Sequence, residues 1–262
     1  MDFGLKGKLA LVMAGSKGLG KAVALRLSLE GAVISIISRN FESLEETKKE
    51  IENATKNEVF IFQGDVTKKE DVEGWVLSTV KEFGTLHILF TNAGGPPSGG
   101  FFDFKPEDYL KAVNLNLMST IYAVYSVVPY MKARNWGRII ASTSISVKQP
   151  LDNLILSNVS RVGVVAFIKS ASNVLAPFGI TANVIAPGYT MTERVESLIS
   201  DKMEKEHVPV EEAQKSIIDN IPMGRIGTVN EFASTVAFLA SEQASYITGV
   251  VLPVDGGFIK GI

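Results

Sequence analysis

Six consecutive residues, Gly15-Ser16-Lys17-Gly18-Leu19-Gly20, place three glycines between an apolar run and a stretch with helical spacing. Glycines at such a turn let backbone N–H groups approach a pyrophosphate, and a helix N-terminus adds partial positive charge. The plainer alternative is a tight strand–helix turn without a ligand. A second clue stands at Ser38-Arg39-Asn40, where the next apolar run ends and no acid follows until Glu42. A carboxylate there would bind a ribose 2′-hydroxyl, as NAD requires. A hydroxyl followed by a guanidinium suits a 2′-phosphate instead, and Lys17 offers a second cation. NADP is therefore the preferred cofactor over NAD, the alternative being that Arg39 is an ordinary solvated cation.

The elements that must hold these groups alternate along the chain. Apolar strand-like runs fall at Lys8–Met13, Ala32–Ile37, Val59–Phe62, His87–Phe90, Arg138–Ser142, Thr181–Ile185 and Val250–Val254. Helical patterns fall between them at Lys21–Glu30, Ser43–Asn53, Glu70–Phe83, near Pro106–Arg134, near Ser157–Pro177 and near Glu231–Ser241. Continuous apolar strands separated by helices predict a parallel sheet covered on both faces. No Pro/Ser-rich linker divides the halves, so the expected fold is α/β: one doubly wound, Rossmann-type domain over residues 1–262.

Composition narrows the partners. The 262 residues are 46% hydrophobic and carry a net charge of −2, with no cationic excess to attract nucleic acid or an anionic membrane. There are no cysteines, which excludes disulfides, thiolate metal sites and cysteine nucleophiles. The two histidines, His87 and His207, have no companions at metal-ligand spacing, so no metal site is expected. The N-terminus lacks a signal-peptide pattern, and the apolar stretch from about Leu115 to Met131 is broken by Asn116, Ser119, Thr120 and Ser126. A soluble, cytoplasmic protein acting on small molecules is the expectation.

Across essentially its whole length the chain resembles the short-chain dehydrogenase/reductase family, especially its 3-oxoacyl-(acyl-carrier-protein) reductase branch. The resemblance is carried by Gly18-Leu19-Gly20, Asp65-Val66, Asn92-Ala93-Gly94, Asn116-Leu117, Gly137-Arg138-Ile139-Ile140, Asn183-Val184-Ile185-Ala186-Pro187-Gly188, Tyr246-Ile247-Thr248-Gly249 and Asp255-Gly256-Gly257. It implies that Asp65 with Val66 meets the adenine edge and that Asn92, Ala93 and Gly94 line the adenosine ribose side. It places Pro187, Gly188, Thr190 and Thr192 against the nicotinamide and pyrophosphate, and a substrate lid near residues 191–221. It also implies a homodimer or homotetramer. One departure is in the first turn, where the family's Thr-Gly is Met13-Ala14 here. Alanine is tolerated there if its φ is negative.

The resemblance further implies hydride transfer between a nicotinamide and a carbonyl or alcohol carbon, assisted by an asparagine, a serine and a Tyr-x-x-x-Lys pair. Asn116 and Ser144 align with the first two. At the register of the pair the chain reads Ser157-Asn158-Val159-Ser160-Arg161, and no tyrosine occurs between Tyr130 and Tyr189. Spacing of four keeps Ser157 and Arg161 on one helix face while changing the chemistry. Arg161 cannot exchange protons near neutrality, but it can bind ribose hydroxyls and offer charge to an alkoxide. Lys148 and Tyr189 are the nearest substitutes for the acid, with a solvated loop cation and pocket packing as their plainer roles.

The leading expectation is an NADP(H)-dependent oxidoreductase of a small carbonyl or alcohol, with an altered tetrad of Ser144, Asn116, Ser157 and Arg161. The alternative is a catalytically silent dinucleotide-binding scaffold or sensor. A methyltransferase also has a Gly-rich first turn, but Asn92-Ala93-Gly94 and Pro187-Gly188 do not belong to that class.

Overall fold

The computed structural model describes residues 2–261, and their side chains except at positions 194, 202, 205 and 206. Seven parallel strands form one sheet in the order β3-β2-β1-β4-β5-β6-β7. They are β1 (Leu9–Met13), β2 (Val33–Ser38), β3 (Val59–Gln63), β4 (Ile88–Thr91), β5 (Gly137–Ser142), β6 (Ile180–Pro187) and β7 (Val251–Val254). The order reverses between β1 and β4, where the chains leaving the two strands diverge and open a crevice at their carboxyl ends.

The apolar runs become strands because both faces of the sheet are covered. In β1, Ala10 and Val12 join one core cluster while Leu9, Leu11 and Met13 join the other. The first cluster is built with α1 (Gly18–Leu29), α2 (Phe41–Thr55) and α9 (Val229–Ala240). The second takes side chains from α3 (Lys69–Phe83), α5 (Ser119–Ala133) and α6 (Ile155–Leu175). Such period-2 partition between two buried faces fixes the register, since a one-residue slip would exchange the two sets.

The single helix expected near Pro106–Arg134 is instead two. A wide π-turn, Asn114–Met118, separates α4 (Pro106–Val113) from α5. Its local hydrogen-bond shift leaves no mark in hydrophobic periodicity, which is why the sequence reads as one helix. Two further helices, α7 (Glu193–Glu206) and α8 (Val210–Ile218), fill residues 191–221 and share a small core of Val195, Ile199 and Ala213. The segment Ile155–Phe178 is, among the described residues, the one helix long and apolar enough to cross a membrane, with mean hydropathy 1.3. Its Val164, Ile168 and Leu175 lie in the second core cluster, and core helices of water-soluble proteins meet the same criterion.

At the amino ends of the central strands a separate polar cluster closes the sheet. The Trp136 ring carries the Lys8 ammonium at 4.1 Å and the Arg138 guanidinium at 4.3 Å from its centroid. Its indole N–H donates to Glu242 at 3.0 Å, and the same carboxylate pairs with Lys8 and Arg138. His87 packs edge-on to Trp136, and its Nδ1 accepts the Leu9 N–H at 3.0 Å. Burial and the neighbouring Lys8 and Arg134 charges hold the His87 pKa down at about 4.

Candidate active site

The crevice beyond β1 and β4 is a cleft of about 820 Å³, within the range of about 300–1,000 Å³ usual for small-ligand sites. At one end is the glycine turn. Lys17 occupies the N-cap of α1 and supplies no capping hydrogen bond, and the first turn holds no acid. The uncapped N–H groups of this helix start therefore suit an anion. Gly18 adopts φ +52°, a left-handed value that favours glycine, and a Cβ on Gly20 would lie 2.2 Å from the Ala14 carbonyl oxygen, so only glycine fits at position 20. Ala14 does not meet the condition of a negative φ: its φ is +49°. The chain must turn sharply there to leave β1, and alanine adopts the left-handed form at a cost of about 1–2 kcal/mol.

The turn is anchored from the side. The Ser16 hydroxyl donates to the Ser38 hydroxyl at 2.8 Å, and Thr47 of α2 donates to the Ser16 carbonyl at 2.9 Å. Ser38, Arg39, Asn40 and Ser43 line the same end, and the Asn40 side chain is committed to capping α2 through the Ser43 N–H. Asp65 sits beside them. Burial would raise its pKa, but two hydrogen bonds from Thr67 and the Arg39 and Lys68 charges outweigh burial and lower it. Lys17 pairs with Glu193, at the start of α7, at 3.5 Å.

Ser16, Lys17, Gly18, Leu19, Ser38, Arg39, Asp65, Val66, Asn92, Ala93, Gly94, Ser144, Ser157, Arg161, Pro187, Gly188, Thr190 and Thr192 all face this one cleft. Gly15, Gly20 and Asn116 do not line it. A Cβ on Gly15 would strike Ile36 at 2.6 Å, so that glycine serves the packing of the turn against β2. Asn116 lies buried in the π-turn and donates through Nδ2 to the Ser160 hydroxyl of α6 at 2.9 Å, while its Oδ1 is buried without a partner among the described residues. Lys148 is exposed and stands outside the cleft. Tyr189 lines it, edge-on to Phe258, and burial raises its phenol pKa.

The other end is built on α6 and the turn after β5. Ser157 and Arg161 are 6% and 7% exposed. Arg161 Nε donates to the Ser157 hydroxyl at 3.1 Å, and its Nη1 donates to the Thr143 carbonyl at 2.9 Å. Ser144 accepts the Ser146 N–H at 3.1 Å, which leaves its own O–H to donate. These backbone carbonyls were not anticipated from sequence, because nothing in residue type marks a carbonyl as a guanidinium partner. The apolar wall of Pro96, Pro97 and Leu115 was likewise unread, as prolines and leucines signal packing as readily as a pocket.

Comparisons with known proteins agree with this architecture. The family profile described as enoyl-(acyl carrier protein) reductase, of the short-chain alcohol dehydrogenase type, matches residues 13–259. The chain is similar to the NADPH-dependent reductase BacG of Bacillus subtilis, 32% identical over 97% of this chain and 98% of that protein. It is also similar to the 3-oxoacyl-[acyl-carrier-protein] reductase FabG of Haemophilus influenzae, 32% identical over 97% and 98% of the two chains. Among solved structures, L-sorbose reductase from Gluconobacter frateurii, complexed with NADPH and L-sorbose, superimposes with a TM-score of 0.96 over the whole of both chains at 29% identity.

Proposed function

The chain belongs to the short-chain dehydrogenase/reductase family, and from that premise we propose that it is an NADP(H)-dependent oxidoreductase of a carbonyl or alcohol substrate. The observation that carries the proposal is the single cleft, which joins an uncapped glycine turn and the Ser38–Arg39 pair to Ser144, Ser157 and Arg161. Ser38, Arg39 and Lys17 would hold a 2′-phosphate, the start of α1 the pyrophosphate, and Arg161 the ribose hydroxyls. NADPH and L-sorbose in the G. frateurii enzyme, and the NADPH dependence of BacG, support the cofactor and the reaction class.

A bound NADPH supplies the hydride. The chain's own part is to hold and polarise the carbonyl. Ser144 donates a hydrogen bond to the substrate oxygen, and the fixed Arg161 charge stabilises the alkoxide as it forms, water then supplying the proton that completes the alcohol. Ser157 receives the Arg161 Nε–H. In this reading Ser157 and Arg161 occupy the family's tyrosine and lysine positions. A serine hydroxyl is a far weaker acid than a phenol, so the general-acid contribution, typically ~10²–10⁴-fold, is largely given up. Asn116 acts at one remove, through Ser160, to position α6.

Residues of α7 form the lid in this reading: Val195 and Leu198 line the cleft and Glu193 reaches across it to Lys17. NADPH oxidation monitored against a panel of aldehydes, ketones and 3-oxoacyl thioesters tests the proposal. Turnover above background is the expected result, and none with any member of the panel overturns it. The catalytically silent sensor is the second reading, favoured by the tying of Arg161 to Ser157 and a backbone carbonyl. Tight NADPH binding with no turnover would select it.

A further inference from the structure

A second cavity, of about 360 Å³, adjoins the cleft. Pro96, Pro97 and Leu115 line both spaces, so the two meet along these apolar side chains. Phe104, Ala112 and Leu156 bound the second cavity, and Asp103, Asp108 and Lys111 stand at its rim.

The rim charges are already committed. Asp103 accepts the Gly100 N–H at 2.7 Å, while Asp108 accepts the Lys105 N–H at 3.1 Å and pairs with Lys111 at 3.0 Å. What the cavity offers a ligand is thus mainly hydrocarbon. Its shape is built in. A Cβ on Gly99 would lie 2.7 Å from the Phe104 ring, so the glycine lets that ring lie flat against the loop. Gly99 also donates to the Asn153 carbonyl at 2.6 Å and accepts the Ile155 N–H at 3.4 Å, tying the shared wall to the start of α6. Along that start Leu154 and Ser157 face the first space and Leu156 faces the second. A carbonyl held beside Ser157 therefore has its substituent one residue away from the second cavity.

The catalytic end of the cleft carries the same character, with Ile145, Leu151, Leu154, Val195 and Leu198 on its walls. Ser144, Ser157 and Arg161 offer polar groups to the reacting oxygen, whereas these apolar walls offer none to hydroxyls farther along a substituent, whose loss of partners costs binding steeply. We propose that the substrate is an elongated, mainly apolar carbonyl compound whose reacting oxygen lies in the cleft and whose chain extends past Pro97 and Leu115 into the second cavity. This rests on the oxidoreductase reading of the cleft.

The test is calorimetric binding of straight-chain methyl ketones, from butanone to the octyl and dodecyl homologues, to the NADP⁺-loaded protein, with NADPH turnover measured in parallel. Affinity should tighten by roughly two- to fourfold per methylene until the cavity is full. Ala112→Leu, which fills the cavity, should flatten that dependence, and Phe104→Ala, which enlarges it, should carry it to longer chains. That pattern without turnover sustains the cavity and overturns the oxidoreductase reading. Turnover of ketones with affinity indifferent to length overturns the cavity alone, as does a length dependence that neither variant alters. Failure of every ketone to bind overturns the cavity as well.

Discussion

Arg161 Nε donates to the Ser157 hydroxyl at 3.1 Å across one turn of α6, and the same guanidinium grips the Thr143 carbonyl at 2.9 Å. The pair fixes a positive charge at the catalytic end of the cleft but supplies no group able to exchange a proton near neutrality. Replacing it by the paired substitutions Ser157→Tyr and Arg161→Lys should raise kcat/KM for any reducible carbonyl by up to ~10²–10⁴-fold. It should also introduce a pH limb belonging to the new phenol. A double variant no faster than the parent would show that the acid resides elsewhere.

Tyr189 is the nearest place for such an acid, since its ring lines the cleft. Burial raises its pKa, so the phenol stays protonated through the neutral range. With its ring already packed on Phe258, Tyr189→Phe should change kcat by less than about threefold. A loss on the order of 10² or more would make it the proton donor.

In the proposed reading the cofactor preference turns on Arg39, which lines the turn end with Ser38 beside it. A charge-assisted contact to a 2′-phosphate is worth about 1.5–3 kcal/mol, so Arg39→Glu should weaken NADPH binding by roughly ten- to a hundredfold and favour NADH. Fluorescence titration with both nucleotides measures it. An unchanged ratio of affinities would mean that Arg39 points its charge only at solvent.

Ala14 holds a left-handed backbone, with φ +49°. Ala14→Gly removes a penalty of about 1–2 kcal/mol and returns part of it as unfolded-chain entropy, about 0.5–1 kcal/mol. The net expectation is a gain of up to about 1.5 kcal/mol, read as a higher Tm without loss of NADPH affinity. A fall in Tm would show that the alanine methyl contributes packing the backbone term does not capture.

His87 gives the fold a pH dependence of known sign. Its folded pKa of about 4 lies below the ordinary value of 6.5, so the unfolded chain binds the proton more readily. Stability from keeping His87 neutral is complete above about 6.5 and is lost as pH falls toward 4. Partial exposure limits the size of the effect. Tm measured from pH 7 to pH 4 should fall less steeply in His87→Gln than in the parent, and parallel curves would count against this account.

How far the chain could be read depended on what leaves a mark in residue type. The strands were legible because Leu9–Met13, Ile88–Thr91 and Ile180–Pro187 are buried throughout and therefore mainly apolar, with Thr91, Thr181 and Asn183 the polar exceptions. The glycine turn was legible because only glycine fits at Gly20 and the left-handed backbone at Gly18 favours it. The π-turn was not, since Asn114–Met118 differs from an ordinary helix only in which carbonyl each N–H meets. Ala14 hid its strain for a similar reason: residue type fixes a preference for φ and not the value imposed by the chain around it. The ion pair of Lys17 with Glu193 joins residues far apart in sequence, and charge alone could not match them.

The Trp136 cluster lies at the opposite end of the strands from the cleft. Lys8, Arg138, His87 and Glu242 clasp the strand beginnings, whereas Ser144, Arg161 and the glycine turn gather beyond the strand endings. Sites so separated perturb stability independently, to within a few tenths of a kcal/mol. The molecule is thus modular along its strands: a clasp that can be reinforced and a mouth that can be rewritten, with little toll exacted on one by changes to the other.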